Sequence, residues 1–201
     1  MAELDNASFE MEYDEESIIK ARLAARERKR LSIKNDIVEI DGVAHKFTRR
    51  EFAYGFSMVV PEKFEEMPRE IARRIFPYED RPEIILSDGG FRTCLAFNKT
   101  ERPAGGLEDR SSSFRGYIKR ICPAAVFFSN GIYRLPDGVD VAHYDYRYPA
   151  ADDDLYDLTF FTDFMDTELL GWFICPAESK DKWEPLIREI IQTLQIEEKE
   201  P

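Results

Sequence analysis

The sequence predicts an α+β fold in which helices flank an antiparallel β-sheet on both faces, an α/β/α sandwich behind an N-terminal charged helix. Residues 125–175 consist of strand-like segments separated by turn signals such as Asn130-Gly131, and short connections between neighbouring strands favour antiparallel pairing. Residues 182–196 then have the periodicity of one amphipathic helix. The 201 residues, 43% of them hydrophobic, suffice for one sizeable core.

The first half of the predicted domain combines short strands with one helix. Asp41-Gly42 indicates a turn between two strands, and residues 52–60 alternate like a single strand that ends at Pro61. Pro68 suits the first turn of a short helix. Asp88-Gly89-Gly90 then predicts a hairpin, and the apolar spacing over residues 107–121 predicts a second helix.

The second half contains the strongest turn and strand signals. Asn130-Gly131 predicts a tight hairpin between residues 125–129 and 132–135. In residues 155–164 the apolar and polar side chains alternate, which predicts a strand with one solvated face that carries Asp157 and Thr159. Residues 168–175 are apolar on both faces and predict a central strand.

The predicted organisation is a charged helical arm over residues 1–36 followed by a single antiparallel α/β domain over residues 37–201. Residues 1–16 contain seven acidic and no basic side chains, whereas residues 20–30 contain six basic ones. The arm helix is too polar to form a core, so it packs on something or projects into solvent. Its basic side chains Arg22, Arg26 and Lys29 are candidate contacts for an acidic protein, and paired arms offer a route to a homo-oligomer.

Composition narrows the classes of partner and compartment. The formal charge of −12 disfavours nucleic acid and anionic membrane as general partners. No stretch approaches the ~20 apolar residues of a membrane span, and the acidic N-terminus lacks the apolar core of a signal peptide. Three cysteines without a C-x-x-C pair fit a reducing compartment. We therefore expect a cytoplasmic protein, without a cofactor fingerprint or a metal-ligand set.

Three tyrosines form the leading candidate binding site. Tyr144, Tyr146 and Tyr148 alternate along one predicted strand and therefore share a face. An exposed tyrosine row makes a good protein interface, because each ring offers contact area with few rotamers. The alternative is a row that faces the core beneath a helix.

A catalytic alternative rests on His143. Asp145 lies two residues further along the same strand and could orient His143 as a general base, with Cys122 as a second candidate partner. A charged pair on a solvated sheet surface is the simpler interpretation. The run Asp152-Asp153-Asp154 lacks the spacing of a calcium loop and is typical of a solvated turn. The sequence thus favours a binding role over a small-molecule hydrolase.

Two segments resemble the Mog1/PsbP-like fold, including the bacterial DcrB-type proteins. Phe56-Ser57-Met58-Val59-Val60-Pro61 resembles an early strand of that family that runs into a proline, and the run from Trp183 to Ile196 resembles its closing helix. The resemblance covers residues 44–196. It implies a largely non-enzymatic protein: Mog1 proteins bind a small GTPase, and PsbP proteins assist a photosynthetic complex. We accordingly expect an intracellular protein-binding or accessory domain.

Overall fold

The computed structural model describes Ile19, residues 31–79 and residues 81–196. The predicted helix of the charged arm, with Arg22, Arg26 and Lys29, therefore lies outside the described residues apart from Ile19 and its last residue, Leu31. In chain order the strands are β1 (Val38–Ile40), β2 (Val43–His45), β3 (Phe47–Phe52), β4 (Phe56–Pro61), β5 (Glu65–Glu66), β6 (Ile84–Ser87), β7 (Cys94–Glu101), β8 (Val126–Arg134), β9 (Asp140–Pro149), β10 (Asp154–Phe164), β11 (Thr167–Pro176) and β12 (Gln195–Ile196). The helices are α1 (Arg69–Ile75), α2 (Leu107–Ile121) and α3 (Lys180–Ile191), and a 3₁₀ turn (Ala177–Ser179) precedes α3.

Seven strands form the main sheet, in the order β5-β6-β7-β11-β10-β9-β8, and every pairing in it is antiparallel. This confirms the predicted antiparallel sheet. The strand β11 lies at its centre, as the two-sided apolar pattern of residues 168–175 predicts. The strands β8 to β11 follow one another as a meander, whereas β7 reaches β11 only after α2 and three further strands have intervened.

A smaller sheet, in the order β12-β4-β3, corrects two predictions. Residues 52–60 do not form one strand, because Gly55 adopts φ +87° and the chain reverses there between β3 and β4. The closing helix ends at Ile191 instead of continuing to residue 196, and Gln195 and Ile196 pair with β4. The turn predicted at Asp41-Gly42 is confirmed, with φ values of 51° and 77°.

The predicted hairpin at Asn130-Gly131 is wrong. Both residues lie in the middle of β8, which runs unbroken along β9 with one irregularity between Phe127 and Ser129. Gly131 is paired with His143, and a Cβ atom at Gly131 would lie 3.2 Å from His143 Nε2. The glycine therefore accommodates the imidazole of the neighbouring strand instead of making a turn.

One face of the main sheet carries the largest core cluster, which includes residues of α3. We call it the α3 face. Side chains of β10 and β11 such as Tyr156, Phe160 and Phe173 are buried there with Trp183 and Ile187 of α3. At the sheet centre the Phe160 ring lies directly over Gly171, its neighbour on β11, where an added Cβ atom would come within 2.2 Å of Cζ.

The opposite face, which we call the α2 face, is covered by α1 and α2. Phe161 and Tyr144 pack there against Phe114 and other residues of α2. Asp157 is 3% exposed and Thr159 is 1% exposed, so the predicted solvated face of residues 155–164 is wrong. Their polarity is accommodated because the Thr159 hydroxyl donates to the Asp157 carboxylate over 2.8 Å.

Gly171→Ala tests the packing at the sheet centre. The added methyl group collides with a ring that is held on all sides, so we expect a loss of at least about 2 kcal/mol in the free energy of unfolding. Gly116→Ala on exposed α2 is the matched control, because no atom lies within 4 Å of the position that an added Cβ would take, and helix propensity favours a gain of about 0.5–1 kcal/mol. Urea unfolding measures both, and equal effects would contradict this account.

Candidate interaction surface

The two edge strands of the main sheet differ in length and chemistry. One edge, β5, consists of two exposed glutamates, and short charged strands discourage further pairing. The other edge, β8, has nine residues and a single charge, Arg134. Its side chains Val126, Phe128 and Ile132 are 45%, 48% and 40% exposed. Within the described part of the chain no strand pairs with the outer edge of β8, so its backbone can accept another strand.

Cations of α2 flank this edge. Arg115 Cζ lies 5.3 Å and Lys119 Nζ 5.6 Å from the Phe127 ring centre, and Arg120 lies over Tyr117. Tyr117 and Ile121 are 52% and 60% exposed. We call this region the β8 surface: Val126, Phe128 and Ile132 of β8 together with Tyr117, Lys119 and Arg120 of α2. It is a basic and aromatic region on a chain of net charge −12.

The tyrosine row is stacked but not uniformly exposed. The ring centres of Tyr144 and Tyr146 lie 6.2 Å apart, and those of Tyr146 and Tyr148 lie 5.5 Å apart. Tyr144 is 3% exposed beneath α2, so the interpretation as a core residue holds for it and an exposed contact there is wrong. Tyr146 is half-buried and stacks on Phe127 beside the β8 surface, whereas Tyr148 lines a cleft of about 710 Å³ with Leu155 and Ile174.

A buried carboxyl group lies behind this row. Asp157 accepts a hydrogen bond from Thr159 and interacts with Tyr146, yet burial raises its pKa from 3.8 to about 7. Burial likewise raises the pKa of Tyr146 above its ordinary value, with the Asp157 charge as a further cause. The α2 face thus holds an acid that is largely protonated in mildly acidic solution.

His143 and Asp145 both face α3, but they do not form a catalytic pair. Asp145 is fully buried and accepts hydrogen bonds from Ser129 and Tyr156, and its carboxylate lies 3.2 Å from the Arg188 guanidinium. His143 stacks on Tyr133 instead, and its Nδ1 lies 3.4 Å from Arg188 Nη1. Burial, aided by the Arg188 charge, lowers the pKa of His143 to about 4, which makes it a weak base at neutral pH.

The cysteines and the aspartate run have separate positions. Cys122 ends α2, which packs on the α2 face, so the sheet separates it from His143. Cys175 is completely buried on β11, and burial raises its pKa. Asp153 lies 2.9 Å from Arg92. Over residues 31–79 and 81–196, no three histidine, cysteine or acidic side chains are grouped so that they could hold a metal ion.

Sequence reasoning missed the two features that matter most here. It interpreted β8 as a hairpin and so missed the long edge strand, although a stretch of eight residues without a charge before Arg134 was a usable signal. It also missed the buried ion pair in which Arg110 Nη1 lies 2.6 Å from Glu168 Oε2, which fastens α2 to β11. Nothing in the local pattern signals this contact, because the two residues lie far apart in the sequence. Among the described helices, none is long and apolar enough to cross a membrane.

Arg188→Met tests whether the guanidinium holds β8 and β9 against α3. The substitution leaves the Asp145 carboxylate buried without a cation, so we expect a loss of about 3–5 kcal/mol in the free energy of unfolding. The exposed pair of Arg134 with Asp140 provides the control, and Arg134→Met should cost less than about 1 kcal/mol. Adding Asp145→Asn should recover part of the loss in a double-mutant cycle, whereas strict additivity would argue against a direct coupling.

Asp157→Asn tests the buried acid through the pH dependence of stability. The folded-state pKa of about 7 lies above the unfolded value, so between pH 4 and pH 7 the unfolded chain releases a proton that the folded chain retains. The Asp157 contribution to stability is therefore complete below about pH 4 and is lost as the pH rises through 7. Relative to wild type, the variant should gain up to roughly 4 kcal/mol between pH 4 and pH 8. A constant difference across that range would contradict the assignment.

Comparison with known proteins gives matches at the level of fold only. No family model matches the chain. No curated protein matches it either. The solution structure of cyanobacterial PsbP (CyanoP) from Synechocystis sp. PCC 6803 is similar with a TM-score of 0.57 and 14% identity, and the match covers 79% of this chain and 96% of that one.

Two proteins of Pseudomonas aeruginosa are more distantly similar. PA94, described as a protein of unknown function and putative regulator, matches with a TM-score of 0.48 and 10% identity over 76% of this chain and 99% of its own. The immunity protein TplEi of the type VI secretion system matches with a TM-score of 0.45 and 10% identity over 92% of this chain and 86% of its own. The order of strands and helices and the similarity to CyanoP together identify the fold of this chain as Mog1/PsbP-like.

Proposed function

We propose that this chain is a cytoplasmic protein-binding or accessory domain that engages its partner through the β8 surface. The observation that carries the proposal is the contrast between the two edges of the main sheet. Two glutamates close one edge, whereas the other presents nine residues with three exposed apolar side chains. Soluble proteins generally protect long edge strands, because an unpaired edge recruits other chains. An edge of this kind supports recognition by strand addition.

The chemistry beside β8 supports a protein partner with acidic character. Lys119 and Arg120 are exposed on α2, and the aromatic side chains Tyr117 and Phe128 are 52% and 48% exposed. Aromatic and cationic side chains are enriched where protein interfaces derive most of their binding energy. Tyr146, a member of the predicted tyrosine row, is half-buried beside Phe127 and extends the β8 surface onto that row.

The remaining parts of the chain have supporting roles in this proposal. We take the main sheet, with α1 and α2 on one face and α3 on the other, as an α/β/α sandwich that holds β8 rigidly. The basic side chains Arg22, Arg26 and Lys29 of the arm provide a second contact for an acidic partner, or the contact between two copies. The protein-binding roles implied by the Mog1/PsbP-like resemblance point in the same direction, although fold alone does not define function.

Val126→Lys/Ile132→Lys tests the β8 surface against a matched pair elsewhere. Val43→Lys/Met165→Lys is the control, because Val43 and Met165 are 49% and 45% exposed, close to 45% and 40% for Val126 and Ile132. Tagged protein is incubated with native extract, and captured partners are quantified by mass spectrometry. We expect a specific partner to fall at least about tenfold with the β8 variant, since two buried lysines cost more than 1.4 kcal/mol, and to be unchanged with the control. Equal retention by both variants would refute the assignment.

A further inference from the structure

A groove of about 480 Å³ lies between α2 and β8, beside the β8 surface. Its lining comes from the first half of α2 and the second half of β8, and consists of Glu108, Ser111, Ser112, Asn130, Gly131 and Ile132. Glu108 is exposed and forms no ion pair with another residue that the structure describes. Near the end of β8, a strand added to the outer edge would therefore meet an acidic side chain of α2.

The other end of the same edge is basic. Arg115 and Lys119 lie over the Phe127 ring, and neither forms an ion pair within the described part of the chain. The helix α2 therefore runs in the opposite direction to β8, and its charge changes from negative beside Ile132 to positive beside Phe127. This change follows the length of the strand rather than separating its two faces.

Other cations beside β8 already have acidic partners. Lys180 lies over the Phe128 ring on the α3 face, with Nζ 4.7 Å from the ring centre. The ion pairs are Lys180 with Glu184, Arg134 with Asp140 and Arg147 with Asp154. A paired charge attracts a third charge only weakly, so the unpaired groups of α2 dominate the selection of a partner at this edge.

Arg115 gives a second reason to expect an acid at the basic end. Its Nε atom is buried, and among the described residues no acceptor lies within hydrogen-bonding distance of it. A buried donor without an acceptor is costly. An acidic side chain on a strand added beside Phe127 would provide that acceptor.

The strand β9 shows how many residues separate the two ends. It is antiparallel to β8, and its residues Ala142 and Tyr146 pair with Ile132 and Phe127. Both Ala142 and Tyr146 belong to the cluster that packs against α2. An antiparallel strand on the outer edge of β8 would cover the same distance, about 13 Å, with four residues. Its positions i and i+4 therefore face the acidic and the basic end of α2.

We propose that the β8 surface accepts an antiparallel strand of a partner protein with a basic side chain at position i, beside Glu108, and an acidic one at position i+4, beside Arg115 and Lys119. The inference rests on the proposed function and deepens it, because it confines the acidic character of the partner to one end and gives the bound strand a direction. A strand with the reverse order of charges meets like charges at both ends.

Two synthetic peptides of identical composition test the order of charges. Both are capped and identically flanked, and their central residues are Lys-Val-Thr-Val-Glu in the first and Glu-Val-Thr-Val-Lys in the second. Fluorescence anisotropy measures their affinity for the full chain. The first should bind at least about fivefold more tightly, because two exposed charge pairs change from attraction to repulsion in the second. Equal affinities, tighter binding of the second, or no binding of either at up to about 1 mM would overturn the proposal.

An exchange of charges on the protein provides the matched control. Glu108→Lys/Lys119→Glu preserves the net charge and should reverse the preference between the two peptides. A preference that survives this exchange would place the peptides elsewhere and overturn the proposal. Partner capture with Val126→Lys/Ile132→Lys judges the proposed function separately. If that variant loses its partner while the two peptides bind the wild type equally, the β8 surface stands and the order of charges is refuted.

Discussion

The buried pair of Asp145 and Arg188 is the interaction on which the arrangement of the β8 edge depends. It joins the strand next to the edge to the helix that covers the α3 face, and the same guanidinium reaches Ser129 of β8 and the Tyr133 hydroxyl. A buried carboxylate is tolerated only with such partners. The need to satisfy one acid therefore fixes α3, β9 and β8 relative to one another. His143 is a neighbour of this network rather than its centre.

The two edge strands of the main sheet differ in length and charge. Charge and shortness make β5 unattractive for pairing, whereas β8 combines an open backbone with apolar side chains and nearby cations. On a chain with a formal charge of −12, the basic and aromatic β8 surface is an exception, and under the proposed function its charge favours acidic partners.

Sequence patterns predicted well those elements whose burial follows from the spacing of their own apolar residues. The two-sided apolar run of β11 identified the central strand, and the apolar stripe of Trp183, Leu186 and Ile190 identified α3. The errors arose where tertiary contacts decide. Gly131 leaves room for the His143 ring and makes no turn. The chain reverses instead at Gly55, where the sequence shows a weaker turn signal than Asn130-Gly131. Asp157 was expected in solvent because a strand pattern cannot show that a helix covers its polar side.

In the candidate site, too, strand alternation predicted which side chains share a face, whereas tertiary contacts decide which of them are exposed. Alternation placed the three tyrosines on one face correctly, but only the position of α2 decides that Tyr144 is covered while Tyr146 remains half-buried. Likewise, the two-residue spacing of His143 and Asp145 put both on one face. It could not show that Arg188, which is distant in sequence, takes the carboxylate.

The strand order has a consequence for how the chain folds. The strands β8 to β11 pair with their neighbours in sequence, so each of their connections closes only a short loop. The pairing of β7 with β11 joins Phe97 to Gly171 and must enclose α2 and three strands, which carries the larger entropic cost. We therefore expect the four-stranded meander to form first and β7 to join afterwards. The seam at the middle of the finished sheet is then the last part of it to close.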